Sequence, residues 1–369
     1  MTWNWQQPDW PRFRWDAARI SAAEGKFVLG TGIFVGASSH LGGAERSQLI
    51  VEAMSADALT TSAIEGEILD RASVQSSIQR QLGLAGDVRR TPPAEQGVAE
   101  MMVDLFSTSS EPVSDEMLYR WHRKLMAGRR DLVEIGKYRT GAEPMQIVSG
   151  RIGAPRVHFE APPSGQVPGE MSRFIAWFNG TAPPGSDPLP AITRAAIAHL
   201  HFESIHPFED GNGRIGRALA EKALSQGFDQ PAPTGLAGAI LARRNSYYDA
   251  LEQANKGNEI TAWLAWFAEI ALDAQRRTIA QVEFPIAKTR LLDRLRDSIN
   301  DRQRKALLRM FAEGPGGFEG GMSAQKYSAI TGASEATTTR DLAGLVEVGA
   351  LIRTGQRKHT RYALNLSAN

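Results

Sequence analysis

The chain has 369 residues, of which 42% are hydrophobic and 22% charged, an ordinary composition for a folded protein of two or three packed units. Its formal net charge of +1 exerts no global attraction toward nucleic acid or an anionic membrane. Because cysteine is absent, disulfides, thiol catalysis and cysteine-ligated zinc are excluded, and a reducing compartment is expected.

The opening residues and the apolar runs favour a cytoplasmic protein. The N-terminus has no basic region followed by an apolar core, so we expect no secretory signal. The most apolar long run, around Ala262 to Leu272, is interrupted by Glu269 and is too short to span a bilayer. We therefore expect no membrane contact.

The leading segment is predicted to be helical. Tryptophans crowd its start from Trp3 to Trp15, and such residues more often tie a terminal segment to a core than form a binding surface. A helical pattern runs from Ala44 to Leu59 and resumes from Ile64 to Val74. Between these runs, Thr61 to Gly66 has the pattern of a helix turn that carries an exposed acid.

The middle of the chain alternates helices with one hairpin. Residues 88–93 are basic and end in two prolines, which indicates a joint. Helices are predicted near 94–106, 114–127, 170–179 and 191–204. The stretch Gln146 to Phe159 alternates β-prone runs with glycine and proline, as hairpins do. His199 and His201 point to different sides of a helix, so we interpret them as core residues rather than metal ligands.

The stretch His206 to Arg217, HPFEDGNGRIGR, concentrates chemically capable residues. Gly211 and Gly213 lack a Cβ, so the backbone can point successive N–H groups at one spot, and Asn212 adds a side-chain donor. The residues that follow favour a helix, which places this cradle at a helix N-terminus, where partial positive charge favours phosphate. A capped helix with a solvated face is the plain alternative.

Four further side chains of this stretch suit anion transfer. Arg214 and Arg217 lie three residues apart on one helical face, so both can reach the same polyphosphate. Asp210 supplies a hard oxygen ligand for Mg2+. His206, with a reference pKa of about 6.5, can accept a proton from an attacking hydroxyl near neutral pH.

The C-terminal part is predicted to be helical up to a final hairpin. Helices are expected over 241–256 and 262–277, and from about residue 301 the composition changes. The runs 323–330 and 334–348 resemble a helix-turn-helix, and 351–364 resembles a two-stranded wing with Arg353, Arg357 and Arg361. This module can contact DNA or serve as a protein-docking or dimerisation module.

The stretch 206–217 resembles the motif of the Fic family, HxFx(D/E)GNGRxxR, at every specified position. The resemblance implies transfer of AMP from ATP to a protein hydroxyl. It implies that His206 is the general base, that Phe208 anchors the loop and that Asp210 binds Mg2+. It further implies that Asn212 contacts the α-phosphate and that the two arginines hold the β- and γ-phosphates.

Three other segments are similar to the family as well. Thr61, Glu65 and Gly66 fit the (S/T)xxxE(G/N) helix of its self-inhibited members, which implies that Glu65 pairs with Arg217 in place of the γ-phosphate. The hairpin 146–159 matches a flap that accepts the target as an added strand. The region 241–256, which follows the catalytic helix, corresponds to one that lines a base and ribose pocket in the family, and this implies adenine contacts for Tyr248 and Asn255.

The expected protein is therefore mainly α-helical, with a Fic-type helical bundle, a β-hairpin flap and a C-terminal winged helix. We predict an N-terminal segment over 1–93 with an inhibitory helix at about 55–75, a catalytic core over 94–290 and a winged helix over 300–369. The expected partners are ATP, a target protein with an acceptor hydroxyl, a second copy in a homodimer and, through the winged helix, DNA.

The predicted function is that of a protein adenylyltransferase acting on a Ser, Thr or Tyr hydroxyl, of a target or of itself, with Mg2+ and ATP. Two alternatives use the same site: a nucleotide-sensing DNA-binding regulator, and an enzyme that removes AMP from its target. Phosphoryl rather than nucleotidyl transfer is a third alternative.

Overall fold

The computed structural model describes residues 2–84, 91–151, 154–183, 185–226, 233–315, 317–318 and 320–366. The chain forms two compact units, Met1–Ile33 with Gly42–Thr278, and Phe34–Leu41 with Ile279–Asn369. Residues 85–90, which include the first three residues of the joint predicted over 88–93, lie outside the described residues. The domain boundaries near 93 and 290–300 stay predictions.

The described chain is mainly helical, as the sequence predicts. The helices are α1 (Ala18–Ser38), α2 (Gly43–Ile64), α3 (Arg71–Gln81), α4 (Pro93–Ser107), α5 (Asp115–Leu125), α6 (Val167–Gly180), α7 (Ala191–Ile205), α8 (Asn212–Ser225), α9 (Leu236–Leu241), α10 (Arg244–Ala254), α11 (Thr261–Arg294), α12 (Asp301–Ala312), α13 (Ala324–Thr331) and α14 (Glu335–Glu347). The strands are β1 (Gln146–Arg151), β2 (Ala154–Glu160), β3 (Leu351–Thr354) and β4 (Arg361–Leu364), which pair as two antiparallel hairpins.

Helix α7 forms the centre of the first unit. All its residues from Ile192 to Ile205 are buried, including several polar ones that have partners inside. Arg194 Nη2 donates to the Phe178 carbonyl at 2.8 Å, and His199 Nε2 lies 2.8 Å from the Tyr247 hydroxyl. His201 lies among aromatic rings, edge-on to Trp10 with centroids 5.1 Å apart. The interpretation of both histidines as core residues is confirmed.

The leading tryptophans pack against this unit, as predicted. Trp3 is 6% exposed. Trp5 Nε1 donates to the Glu160 carbonyl at 2.7 Å, and Trp10 Nε1 donates to Glu170 Oε2 at 3.0 Å. These bonds satisfy the indole donors while the rings cover apolar surface.

The inhibitory helix predicted at about 55–75 is wrong in extent. Helix α2 ends at Ile64, and Gly66 has φ +86°, a left-handed conformation that stops the helix. Helix α3 begins only at Arg71, where Asp70 accepts a hydrogen bond from Ser73 N at 2.8 Å as its N-cap. Residues 65–70 therefore form a turn between two helices, with Glu65 at its first position.

The second unit packs α12, α13 and α14 around a small apolar core that includes Leu307, Phe311 and Leu345. Its β3–β4 hairpin follows α14. Of two neighbouring threonines near the start of α14, Thr338 is only 2% exposed, whereas Thr339 is exposed. DNA binding by this unit stays a prediction.

Helix α1 was not singled out from the sequence, yet it is apolar. By length and composition Ala18–Ser38 could cross a membrane, and 22% of its most apolar window is buried. Core helices of soluble proteins pass the same test of length and composition.

Candidate active site

Contacts within the loop between α7 and α8, and one with α5, fix the conformation of this loop. His206, directly after α7, takes a left-handed conformation with φ 51° and ψ 62°. Phe208 is fully buried, and its ring stacks on His122 with centroids 4.2 Å apart. Asn212 bridges the loop: its Oδ1 accepts from Phe208 N at 2.9 Å, and its Nδ2 donates to the Phe208 carbonyl at 2.8 Å.

Asn212 has a structural role in this loop. It is 2% exposed, and both polar ends of its side chain bond to Phe208. Its amide nitrogen carries a second N–H donor and Asn212 lines the cavity, so the α-phosphate contact stays a prediction. In the structure Asn212 fixes the loop that carries His206.

Two glycines shape the start of α8. Gly211 is its N-cap with φ +82°, where a side chain would be strained, and a Cβ there would lie 2.7 Å from Met126 Cε. A Cβ on Gly213, in the first turn, would overlap Glu65 Oε1. The Glu65 carboxylate therefore lies against the N-terminal turn of α8, the place where a helix binds anions.

Arg217 is held by the segment that ends α2. Its Nη2 lies 2.7 Å from Glu65 Oε1, and its Nε donates to Thr61 Oγ1 at 2.8 Å. The Arg217 side chain is 3% exposed and that of Glu65 is 33% exposed. The left-handed turn at Gly66 then carries the chain away from this pair.

Arg214 is held in the same way by a residue that sequence reasoning missed. Its Nη1 lies 2.7 Å from Glu67 Oε2, and the two side chains are 7% and 38% exposed. Glu67 follows Glu65 by two residues, so the pattern Glu-Gly-Glu places one carboxylate opposite each arginine. That spacing was visible in the sequence, although a turn between the two acids was needed to interpret it.

A cavity of about 600 Å3 brings most of the predicted site residues together. Its lining contains the predicted residues Glu65, His206, Asp210, Gly211, Asn212, Gly213, Tyr248 and Asn255. Thr61, Gly66, Arg214 and Arg217 are not among the described residues that line it. Both arginines are almost completely buried. Arg214 pairs with Glu67, and Arg217 pairs with Glu65.

Helix α10 forms one wall of the cavity and also holds the end of α2. The Tyr248 hydroxyl donates to the Ile64 carbonyl at 3.2 Å, and Arg244 Nε donates to the same carbonyl at 2.8 Å. Asn255 is 5% exposed and accepts a hydrogen bond from Ser204 Oγ at 3.2 Å. Adenine contacts for Tyr248 and Asn255 stay predictions.

Burial sets the protonation of His206 and of its neighbour Glu203. Burial, with Arg139 adding to it, lowers the pKa of His206 to about 4, so the imidazole is neutral near pH 7. Burial and the nearby Glu65 carboxylate raise the pKa of Glu203 to about 8. Glu203 Oε2 lies 3.7 Å from His206 Nδ1. A neutral imidazole is the form that can accept a proton.

Asp210 lies at the edge of the cavity and is 38% exposed. Its Oδ2 lies 2.7 Å from Arg129 Nη1, and its Oδ1 lies 3.7 Å from Arg214 Nη2. Among the described residues there is no group of three or more His, Cys, Asp and Glu side chains that could hold a metal ion. Mg2+ commonly uses one or two carboxylates together with substrate phosphates, and a single accessible Asp210 fits that pattern.

The predicted hairpin covers the site from the other side. Strands β1 and β2 pair in antiparallel register, with Ile147 opposite Phe159, while residues 152–153 at the predicted turn lie outside the described residues. His158, on β2, has a hydrogen-bond partner at each of its ring nitrogens. Its Nε2 lies 2.6 Å from Ser149 Oγ, and its Nδ1 lies 2.7 Å from Glu252 Oε2 on α10.

Two segments of the chain match known families or domains. Residues 112–224 match the profile of the Fic/DOC family. Residues 3–84 match a domain of unknown function, DUF4172.

Among curated relatives, protein adenylyltransferase fic-1 of Caenorhabditis briggsae is 28% identical over 206 residues, 54% of this chain and 36% of that protein. Protein adenylyltransferase Fic of Culex quinquefasciatus is 26% identical over 230 residues, 60% of this chain and 42% of that protein. The chain thus spans less than half the length of these relatives. A Fic family protein from Desulfovibrio desulfuricans G20 has a similar fold, with a TM-score of 0.52 at 22% identity over 94% of this chain and 97% of that chain.

Proposed function

Because residues 112–224 match the Fic/DOC family, we propose that this chain transfers AMP from ATP to a serine, threonine or tyrosine hydroxyl of a target protein or of itself. The observation that carries the proposal is a neutral His206, whose side chain is 14% exposed, in the same cavity as the glycine turn that opens α8. The names of the curated relatives support the same activity.

In the proposed reaction the acceptor oxygen forms a bond to the α-phosphorus, and the bond from that phosphorus to pyrophosphate breaks. His206 takes the proton of the hydroxyl. The N-terminal turn of α8 stabilises negative charge on the phosphates, as do Arg214 and Arg217 once they are released from their carboxylates. Arg139 positions the base, because its Nε donates to the His206 carbonyl at 2.8 Å.

Asp210 would hold Mg2+ at the edge of this cavity. When bound, the ion would supply positive charge against the phosphates. Arg129 Nη1, now 2.7 Å from Asp210 Oδ2, would have to give up that contact.

The hairpin of β1 and β2 is proposed to present the target. Ile147 and Val148 line the cavity and are 41% and 51% exposed. An extended target segment could add to this hairpin through main-chain bonds, with the two apolar side chains providing contact area.

We propose that Glu65 inhibits the enzyme and that Glu67 assists it. Each carboxylate forms an ion pair with an arginine that a polyphosphate would need. Glu65 also lies against the first turn of α8. An ATP molecule that meets these carboxylates is repelled or bound in an unproductive pose. Whatever relieves inhibition must move the segment 65–67.

The deciding experiment compares the wild-type protein, Glu65→Gly and Glu65→Gly/His206→Ala with Mg2+ and ATP in a cell extract, followed by a denaturing gel. Label from the α-phosphate should rise in the single variant and vanish in the double variant. Label from the γ-phosphate instead would indicate phosphoryl transfer. Covalent label in no lane, with ATP still bound, would refute the proposal. Loss of label from a pre-labelled target would indicate AMP removal.

A nucleotide-sensing regulator is the second candidate, favoured by the succession of α13, α14 and a hairpin in the second unit. Thr339 and Arg340 are exposed near the start of α14. A sequence-dependent electrophoretic shift that survives about 150 mM salt would support it, because nonspecific phosphate contacts weaken steeply with salt. Sedimentation would test the homodimer, and fractionation of cells the cytoplasmic location.

A further inference from the structure

We propose that Ser149, on the hairpin over the cavity, is an internal acceptor of AMP, with His158 as the base that takes its proton. The inference rests on the proposed adenylyltransfer, and it assigns a residue and a base that this activity does not require. Its ground is a chain of hydrogen bonds from Ser149 through His158 to Glu252.

The three side chains are connected in the order that activates a hydroxyl. Ser149 Oγ lies 2.6 Å from His158 Nε2, and His158 Nδ1 lies 2.7 Å from Glu252 Oε2. A carboxylate accepts only, so Nδ1 carries the proton and donates it to Glu252. The lone pair of Nε2 then faces the serine hydroxyl, which is the arrangement in which an imidazole can remove a proton from it.

Glu252 is suited to stay ionised and to hold this tautomer. Its side chain is 17% exposed, and Arg156 Nη2 lies 2.8 Å from Oε1 with Lys256 Nζ at 3.6 Å. Because Glu252 belongs to α10 and His158 to β2, the same bonds also tie the hairpin to the cavity wall. Glu252 is therefore a positioning residue that acts through His158.

The location of Ser149 gives the hydroxyl access to the transferred group. Ser149 is exposed, and it lines the same cavity as His206 and Gly213, the cavity in which ATP is proposed to bind. In the step, Ser149 Oγ forms a bond to the α-phosphorus while pyrophosphate leaves, and the hydroxyl proton passes to His158 Nε2. The product carries AMP inside the cavity, which blocks further ATP binding.

The test uses the full chain with Glu65→Gly, Mg2+ and ATP, and measures AMP on the peptide that contains Ser149 by mass spectrometry over time. We expect AMP on that peptide, its loss in Ser149→Ala and a rate about 100-fold lower in His158→Gln. Ser246→Ala is the matched control, since Ser246 is also exposed but bonds to the Arg243 carbonyl, and it should leave the signal intact.

Glu252→Gln distinguishes a positioning role from a purely structural one. The amide no longer stabilises the charge that the imidazole gains, so the pH at which the rate on Ser149 falls to half should move down. An unchanged pH profile would overturn the relay, as would His158→Gln at full rate. AMP on other residues or proteins with none on Ser149 overturns this inference alone. Absence of AMP from every protein overturns the proposed function and the inference with it.

Discussion

Replacing Glu65 by glycine is expected to raise AMP transfer by about 10- to 30-fold. The change removes the bond of 2.7 Å to Arg217 Nη2. A hydrogen bond between charged groups contributes about 1.5–3 kcal/mol, and the lower part of that range applies because Glu65 is 33% exposed. About 1.5–2 kcal/mol shifts the ratio of inhibited to open molecules by about 10- to 30-fold. Because Glu65 is the C-cap of α2 with φ −82°, glycine fits there without strain.

The assay is the initial rate of α-phosphate incorporation at saturating Mg-ATP, with ATP affinity measured separately by calorimetry. Glu65→Gln is the matched control, because its amide oxygen can still accept from Arg217 but carries no charge, and its rate should be intermediate. Glu52→Gly, on the same helix, controls for a weakened α2, since Glu52 bonds to Gln48 and not to an arginine. Its rate should stay near that of the wild type.

Inhibition by Glu65 is refuted if the Glu65→Gly protein is folded, binds ATP and yet transfers AMP at the wild-type rate. It is refuted equally if Glu52→Gly activates as strongly, because general loosening of α2 would then explain the gain. In either case the bond between Glu65 and Arg217 would be a structural ion pair.

Three further outcomes are expected. Glu67→Ala should raise the rate by no more than about fivefold, because its pair with Arg214 is more exposed and such pairs contribute up to about 1 kcal/mol; initial rates beside Glu65→Gly measure this. In the Glu65→Gly protein, His206→Ala should lower kcat by about 100- to 10,000-fold. The pH-rate profile of the parent should fall only as the pH drops through about 4, where the imidazole becomes charged. Burial raises the pKa of Glu221, and burial together with the Glu221 carboxylate raises the pKa of Asp57, so the folded chain keeps protons on these carboxyls at pH values where the unfolded chain has lost them. Stability should therefore fall as pH rises above the usual pKa range of these carboxyls, and Glu221→Gln should remove part of that loss in urea unfolding at pH 5 and pH 8.

Each of these outcomes can fail in a recognisable way. Equal activation by Glu67→Ala and Glu65→Gly would mean that both arginines limit the rate to the same extent. An acid limb near pH 6.5 would mean that His206 is not buried in the active state. An unchanged pH dependence of unfolding in Glu221→Gln would mean that this carboxyl is hydrated in the folded protein.

The candidate site was predictable from the sequence where several residue types of the site lie within one short segment. The loop from His206 to Gly213 could be assigned because glycine freedom, an imidazole and a helix start are local properties. Helix α7 was predictable to within a residue, since its run of alanine, isoleucine and leucine favours a helix and Pro190 marks its start. The burial that lowers the pKa of His206 depends on the whole unit and was not predictable.

The sequence did not predict features that depend on a backbone turn or on a contact between distant parts of the chain. The apolar period continues from Ile64 to Val74, yet the left-handed Gly66 and the cap at Asp70 break the helix between. The spacing of apolar residues indicates which residues face the core, but it does not indicate such a turn. The bond between His158 and Glu252 joins residues 94 apart, and no pattern in one sequence indicates such a pairing.

Gly213 gives the proposed competition between the Glu65 carboxylate and a nucleotide its structural basis. Any Cβ at this position would overlap Glu65 Oε1, so only glycine lets the carboxylate lie on the first turn of α8. The same lack of a side chain is what a phosphate needs in order to approach the backbone there. An anion bound at this turn and Glu65 in its present position thus exclude each other. In the proposed inhibition Glu65 occupies the anion site itself, and a ligand that moves the end of α2, held through the Ile64 carbonyl by α10, would free that site.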